Sequence, residues 1–423
     1  MPTKPKRKRA TAAGNGSRSQ GALLASITIE GFKSIAKQTV ELGRLNVFIG
    51  ANGAGKTALL EAIGVAGAAA DGRVTDDDLI DRGVRPGVPK LFKSAFAEGR
   101  IPRGIKISAT SSEKADYAVM LDNAQAAAPV PWKFMSETFS ESGTRLVTRS
   151  PRGGNAWSNG RKTSLGQLDP LRGLARSRIP GLPSHVERLR GMLQSFRIYD
   201  PQTAVLRGIQ SDIRQVDPVG LQGGRLAEAV SFLREDATHY GAALVEDLTA
   251  LVSWASDVAS EVPTPDLLSP SVPALREIVR FTDRYMRADR NQLSAYDASE
   301  GALYVLFALV ILAHPRAPTF FAIENIDHAL HPRLARALVR KMSEVVVTKR
   351  RQILLTTHNP LVLDGLAIAD DAIRLFTVER TSTGQTVILR VSHTSAIAQA
   401  EKTGLTLSQM WVQGLLGGVP ELF

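Results

Sequence analysis

The sequence predicts an α/β fold in which short buried strands alternate with helices, and three stretches carry that expectation. Leu45 to Ile49 is an apolar run that ends in a glycine-rich turn, followed by an Ala/Leu-rich helical stretch from Ala58 to Ala70. Thr319 to Ile323 is a second apolar run, closed by Glu324. Gln352 to Thr356 is a third, closed by Thr357 and His358. Short apolar runs without polar alternation are what a parallel sheet covered on both faces requires.

The remaining elements follow in chain order. Residues 1–20 hold six Lys/Arg and no acid, so over half of the net charge of +11 lies there. Lys4, Lys6, Arg7, Lys8 and Arg9 form a basic arm that either touches nucleic acid or is a solvated, disordered terminus. The arm lacks the apolar run of a secretory signal. After the spacer Gly14 to Gln20, Ile27 to Glu30 alternates as a strand. Gly64 and Gly67 are weak points in the helix that follows the glycine-rich turn.

From residue 71 to about 225, recurrent Gly, Pro, Arg and Ser clusters read as irregular, with strand-like alternation between Ile105 and Leu121. The arginines between Arg145 and Arg225, among them Arg172, Arg176, Arg178, Arg188, Arg190 and Arg197, form either a phosphate-binding face or a solvated, acid-paired surface. Leu226 to Met286 has helical spacing broken by Pro263, Pro265, Pro270 and Pro273, and no heptad pattern is sustained, so long coiled-coil arms are not expected. Beyond Asp297 come an apolar helix, the second strand, a helix near Pro332 to Val347 and the third strand. An apparent hairpin follows, Ile373 to Arg380 with Thr386 to Val391.

Composition narrows the chemistry. The chain has no cysteine, which excludes disulfides, thiolate metal sites and thiol catalysis, and its seven histidines fall in no metal-ligand spacing. A hydrophobic share of 43% with 22% charged residues is enough for an ordinary core. The longest apolar stretch, Ala302 to Ala313, is far short of the roughly 20 residues a bilayer demands, so no membrane contact and a cytoplasmic location are expected.

One motif is specific. Gly50-Ala51-Asn52-Gly53-Ala54-Gly55-Lys56-Thr57 satisfies G-x-x-x-x-G-K-S/T, between an apolar strand and a helix. Glycines let backbone N–H groups wrap phosphates, and the helix N-terminus adds its positive end. Lys56 is expected to meet the β- and γ-phosphates of ATP, and the Thr57 hydroxyl to ligate Mg2+. The strand ending in Glu324 has the form of a Walker B strand, which delivers an acid that holds magnesium beside the P-loop. His358, at the end of the next strand, is either placed to sense the γ-phosphate or, as a lone histidine, an ordinary surface residue.

In order and spacing these segments resemble the ABC ATPases, specifically the soluble AAA-type branch related to RecF, SMC and the overcoming-lysogenization-defect proteins. The residues that carry the likeness are Ile29-Glu30-Gly31-Phe32-Lys33-Ser34, the P-loop, Glu324 through Leu330-His331-Pro332, and Thr356-Thr357-His358-Asn359-Pro360. The resemblance implies a P-loop NTPase fold with an ABC-type ATPase head interrupted by a large irregular or helical insertion. It places the head in residues 23–95 and 290–423, the insertion in 96–289 and a disordered basic tail in 1–22. It also assigns Ser299-Glu300-Gly301 to the signature motif, which grips the γ-phosphate of a second copy from a helix N-terminus. Asp297 to Glu300 is equally a helix N-cap, and both roles can coexist. One P-loop and one signature per chain imply a head-to-tail homodimer around ATP.

Three departures from the family pattern shape the functional expectation. The glutamate that usually follows the Walker B acid is Asn325, an amide that can orient water but cannot take its proton, so hydrolysis is expected to be slow, with Asp327 or His358 as substitutes. Lys90 to Phe96, where the glutamine loop would be sought, contains no glutamine. After His358 the acids do not form a Toprim nuclease set, so an effector is expected on a separate chain. The segments Leu407 to Trp411 and Leu415 to Pro420 either dock a partner or pack back on the head. The resulting expectation is an ATP-binding, slowly hydrolysing sensor or scaffold like those of anti-phage defence systems. Its rivals are a RecF-like DNA repair ATPase and a nucleotide-gated scaffold with negligible turnover. A transporter subunit is disfavoured by Leu330-His331-Pro332 and by the central insertion.

Overall fold

The computed structural model describes residues 22–123, 132–158, 160–235, 240–272 and 276–417. The basic arm through residue 21 and the last three residues of the expected docking tail lie outside the described residues. β1 (Leu24–Phe32) and β2 (Ile35–Glu41) form a hairpin, β3 (Leu45–Ile49) runs into the glycine-rich turn, and α1 (Lys56–Ala70) and α2 (Asp76–Ile80) follow. Six antiparallel strands come next: β4 (Ile105–Ser111), β5 (Ala115–Asp122), β6 (Lys133–Glu141), β7 (Thr144–Ser150), β8 (Gly153–Ser158) and β9 (Arg161–Gly166). Then come α3 (Ser184–Ser195), β10 (Ile198–Tyr199), α4 (Thr203–Leu206), α5 (Leu226–Glu235), α6 (Tyr240–Leu251), β11 (Ala255–Glu261), β12 (Ile278–Asp283) and β13 (Gln292–Ser294). The last third holds α7 (Glu300–Ala313), β14 (Phe320–Ile323), α8 (Pro332–Thr348), β15 (Gln352–Thr357), β16 (Ile373–Arg380), β17 (Thr386–Val391), α9 (Ser395–Lys402) and α10 (Leu407–Val412).

The organising element is a six-stranded sheet in the order β10-β14-β15-β3-β16-β17, parallel except for β17. Its central strands are buried on both faces, and alternate residues feed two separate cores. Val47, Phe321 and Leu355 join the core under α5, α6, α7 and α8. Phe48, Phe320 and Leu354 join the core that packs α1 and α3 beneath the antiparallel sheet. Burial of these runs is the main driving force for the head. Every strand and helix expected from residue 297 onward is present.

β4 and β5 meet the strand-like alternation between Ile105 and Leu121, but the rest of residues 96–289 departs from the irregular or helical expectation. β4 pairs with β1, Ile29 opposite Ile107, so β4 to β9 extend the first hairpin into an eight-stranded antiparallel sheet, β2-β1-β4-β5-β6-β7-β8-β9. β10 lies within the same stretch yet belongs to the central sheet, so the head resumes well before residue 290. β11, β12 and β13 form a small sheet, with β11 and β12 inside the stretch Leu226 to Met286 that predicts helix. The physical reason is partial burial. β9, Arg161–Gly166, exposes nearly all of its residues as a charged sheet edge, so it has no apolar alternation to display.

One buried acid ties the antiparallel sheet to the loop beside it. Glu137 of β6 is fully buried, accepts from the Tyr117 hydroxyl at 3.1 Å and from the Leu174 N–H at 2.7 Å, and burial pushes its carboxyl up to about 7. The native state therefore retains a proton that the unfolded chain releases near pH 4.5. Stability should fall as pH rises from about 4.5 to 7, by on the order of 3 kcal/mol. Glu137→Gln is expected to remove that slope in melts run between pH 5 and 7. Parallel curves for the two proteins would contradict it.

Candidate functional site

β3 delivers the chain into a turn in which Gly50 and Gly55 have no room for side chains. A Cβ on Gly50 would lie 2.1 Å from the Val378 carbonyl oxygen. One on Gly55, whose φ is +115°, would lie 2.1 Å from Thr386 Oγ1. Thr386 itself donates to the Ala54 carbonyl at 2.8 Å, so β17 walls the turn from outside. α1 starts at Lys56, directing its free N–H groups into the turn. Lys56 Nζ donates to the carbonyls of Gly50 (2.7 Å) and Ala51 (2.9 Å), which uses two of its three donors and leaves one for an anion. Burial lowers the Lys56 pKa, against the opposing pull of Glu324 and Asp327.

The Thr57 hydroxyl donates to the Glu324 carboxylate, so the first turn of α1 and the end of β14 meet at one point. Both donors are hard oxygens, the type Mg2+ prefers, and a P-loop magnesium takes its other ligands from phosphate and water. No cluster of three or more His, Cys, Asp or Glu suited to a metal occurs among the described residues, and a P-loop site does not need one. Asn325 lines the same cavity, of about 640 Å³, as Asn52, Gly53, Gly55, Lys56 and Thr57. Asn325 has φ +51°, and its N–H donates to Thr356 Oγ1 at 3.0 Å. Asparagine tolerates this left-handed conformation better than most residues. Four residues on, Ala329 has φ +59° without that tolerance, at a cost of about 1 kcal/mol.

His358 does not line the cavity. It is half-exposed, with Nε2 3.7 Å from Oδ2 of Asp327, a buried acid whose Oδ1 has no hydrogen-bond partner. None of Ser299, Glu300 and Gly301 lines that cavity either. Ser299 is the N-cap of α7 by backbone, but its hydroxyl makes no capping bond and is exposed. The Glu300 carboxylate accepts from the Thr203 hydroxyl, and Gly301 packs against the Ala329 carbonyl.

Several groups at the site escaped the sequence reading. Asp200 follows β10, whose register pairs Tyr199 with Ile323, so Asp200 sits beside Glu324 at the carboxyl ends of neighbouring parallel strands. Burial, then the Glu324 charge, raises its pKa to about 6. Glu61, one turn beyond Thr57, is fully buried and accepts from Lys33 Nζ and, at 3.0 Å, from Arg85 Nε. Lys33, Arg85, Lys90, Lys93 and Arg380 thereby rim the cavity. The segment searched for a glutamine loop thus contributes two lysines instead. By contrast, six of the thirteen arginines from 145 to 225 are paired with acids: Arg172 with Asp169, Arg176 with Asp71, Arg188 with Glu113, Arg190 with Glu187, Arg214 with Asp77 and Arg225 with Asp217. These six stitch the surface and are not free for phosphate.

A strand, a phosphate-binding turn and a helix beside an acid-ended strand of a parallel sheet define a P-loop ATPase of the AAA/ABC type. Residues 193–364 match the family described as "AAA domain, putative AbiEii toxin, Type IV TA system", and residues 26–118 match a second AAA domain family. The two matches place an AAA-type P-loop domain in this chain, with its central sheet built from both ends of the sequence. None of the curated proteins matches it. Among solved structures, the SMC head domain from Thermotoga maritima is 13% identical, with a TM-score of 0.43 over 87% of this chain and 99% of that one. The Pyrococcus furiosus Smc head domain, bound to the C-terminal domain of ScpA, is 11% identical, with a TM-score of 0.48 over 90% of this chain and 100% of that one. No described helix is long and apolar enough to cross a membrane.

Proposed function

We propose that the chain is a nucleotide-held switch. ATP binds through Gly50 to Thr57 with Lys56 on the β- and γ-phosphates, Thr57 and Glu324 hold Mg2+, and the signature Ser299-Glu300-Gly301 of a second copy closes a head-to-tail homodimer. The magnesium would neutralise phosphate charge; the chain's own residues fix its position. The observation that carries the reading is Asn325, an amide on the cavity wall directly after the Glu324 carboxylate. Such a site binds ATP and cleaves it slowly, which suits a sensor or scaffold that holds or releases a separate effector in the cytoplasm. The uncapped, exposed Ser299 hydroxyl supports a signature free to meet a second nucleotide. The description of the family that matches residues 193–364 names a toxin of a toxin–antitoxin system, which favours a role in anti-phage defence.

The dimer is tested by sedimentation of the purified chain with and without Mg-ATP. The expected result is monomer without nucleotide, dimer with it, and monomer in both for Ser299→Arg. An ATP-insensitive mass would overturn the proposal. The repair-type reading has one observation of its own. Arg333, Arg336 and Arg340 lie exposed along α8, and none forms an ion pair among the described residues. DNA binding that weakens steeply with salt and is lost on substituting those three would favour that reading.

A further inference from the structure

The two loops that leave the magnesium side of the site converge on one hydroxyl of the signature helix. Tyr304, in the second turn of α7, is 4% exposed. Its Oη donates to the Pro201 carbonyl at 2.8 Å and lies 2.8 Å from His328 Nδ1. A hydroxyl has one hydrogen, so the bond to Pro201 obliges Tyr304 to accept from His328 Nδ1–H, which selects that tautomer. The two rings also pack, with centroids 5.3 Å apart. Pro201 follows Asp200 directly, and His328 belongs to the turn that leaves Glu324, so each partner reports the position of one of the two neighbouring carboxylates.

The start of α7 is tied to the same segments elsewhere. Thr203 donates to Glu300, and Arg207 Nη2 donates to the Ala298 carbonyl at 3.2 Å. A Cβ on Gly301 would come within 3.3 Å of the Ala329 carbonyl, in the turn that holds both Asn325 and Ala329 at positive φ. α7 itself is apolar and buried around nearly its whole circumference, so it responds as a rigid rod.

We infer that Tyr304 is a positioning residue: through Pro201 and His328 it sets the angle of Ser299-Glu300-Gly301 according to what the chain's own P-loop holds. The inference rests on the sandwich-dimer reading. Displacement of Glu324 or Asp200 on loading the site moves both anchors together, and the signature meets the second nucleotide only from the loaded arrangement. Differential contacts in two states are what such coupling requires.

The test uses the full chain as wild type, Tyr304→Phe, which keeps the ring, and His328→Ala, at an exposed position. Two constants are read: affinity for a fluorescent ATP analogue at concentrations where the chain is monomeric, and the ATP-dependent dimer dissociation constant by sedimentation. For Tyr304→Phe, nucleotide affinity should stay within about twofold of wild type while the dimer weakens about tenfold, the scale of one buried hydrogen bond lost. His328→Ala should shift the dimer in the same direction by less, and decides the matter should Tyr304→Phe not fold. If either folded variant dimerises like wild type, or loses nucleotide affinity and dimer affinity in proportion, Tyr304 is structural and the inference falls while the dimer stands. If wild type fails to dimerise with ATP, both readings fall together.

Discussion

Asn325→Asp raises the rate of phosphate release from Mg-ATP about a hundredfold over wild type. A positioned general base contributes roughly 10²- to 10⁴-fold, and aspartate is the substitution that can supply one here without disturbing the backbone. At φ +51° the residue must tolerate the left-handed region, which Asn and Asp do and most other residues do at a cost. Aspartate also matches asparagine in length, so its oxygen falls where the amide stood, while the backbone N–H keeps its bond to Thr356. Asn325→Glu brings the acid usual in this class but strains the turn, so its gain should be smaller and accompanied by a lower melting midpoint. If neither variant exceeds wild-type turnover, the site is not short of a base and Asn325 does not limit hydrolysis.

Lys56→Ala abolishes nucleotide binding without unfolding the protein. The ammonium is the one P-loop charge aimed at the phosphates, and charge-assisted hydrogen bonds are worth about 1.5 to 3 kcal/mol each, so affinity for a fluorescent ATP analogue should fall at least about 100-fold. Stability should fall little, because the burial that lowers the Lys56 pKa offsets what its bonds to the Gly50 and Ala51 carbonyls contribute. Titration and thermal melting together separate these effects. Unchanged affinity would show that ATP binds elsewhere, and a collapsed melt would show that the lysine serves the fold.

The catalytic frame was legible in the sequence because its strands are buried on both faces. β3, β14 and β15 are continuous apolar runs; β3 leads into the glycine turn and β14 into Glu324 on the cavity wall, while His358 after β15 stays outside the cavity. α1, α7 and α8 were equally visible, bounded by a glycine turn, a serine cap and His331-Pro332. What remained hidden depends on tertiary contact. β10 is two residues long, too short for any periodicity, yet its register alone puts Asp200 beside Glu324. Glu61 looks like a stray charge in an apolar helix, and its partners Lys33 and Arg85 lie more than twenty residues away on either side. The backbone state of Asn325 changes the argument most, since it makes the amide a conformational choice as well as a chemical one.

The central claim is that this head holds ATP rather than consuming it rapidly. It is tested most directly by following phosphate release and dimer dissociation together after wild-type chain is mixed with saturating Mg-ATP. The account predicts less than about one turnover per second, at the slow end of the usual enzyme range, with the dimer outlasting many nucleotide-binding events. Turnover above about 10 per second, or release of phosphate from a chain that stays monomeric throughout, would contradict it.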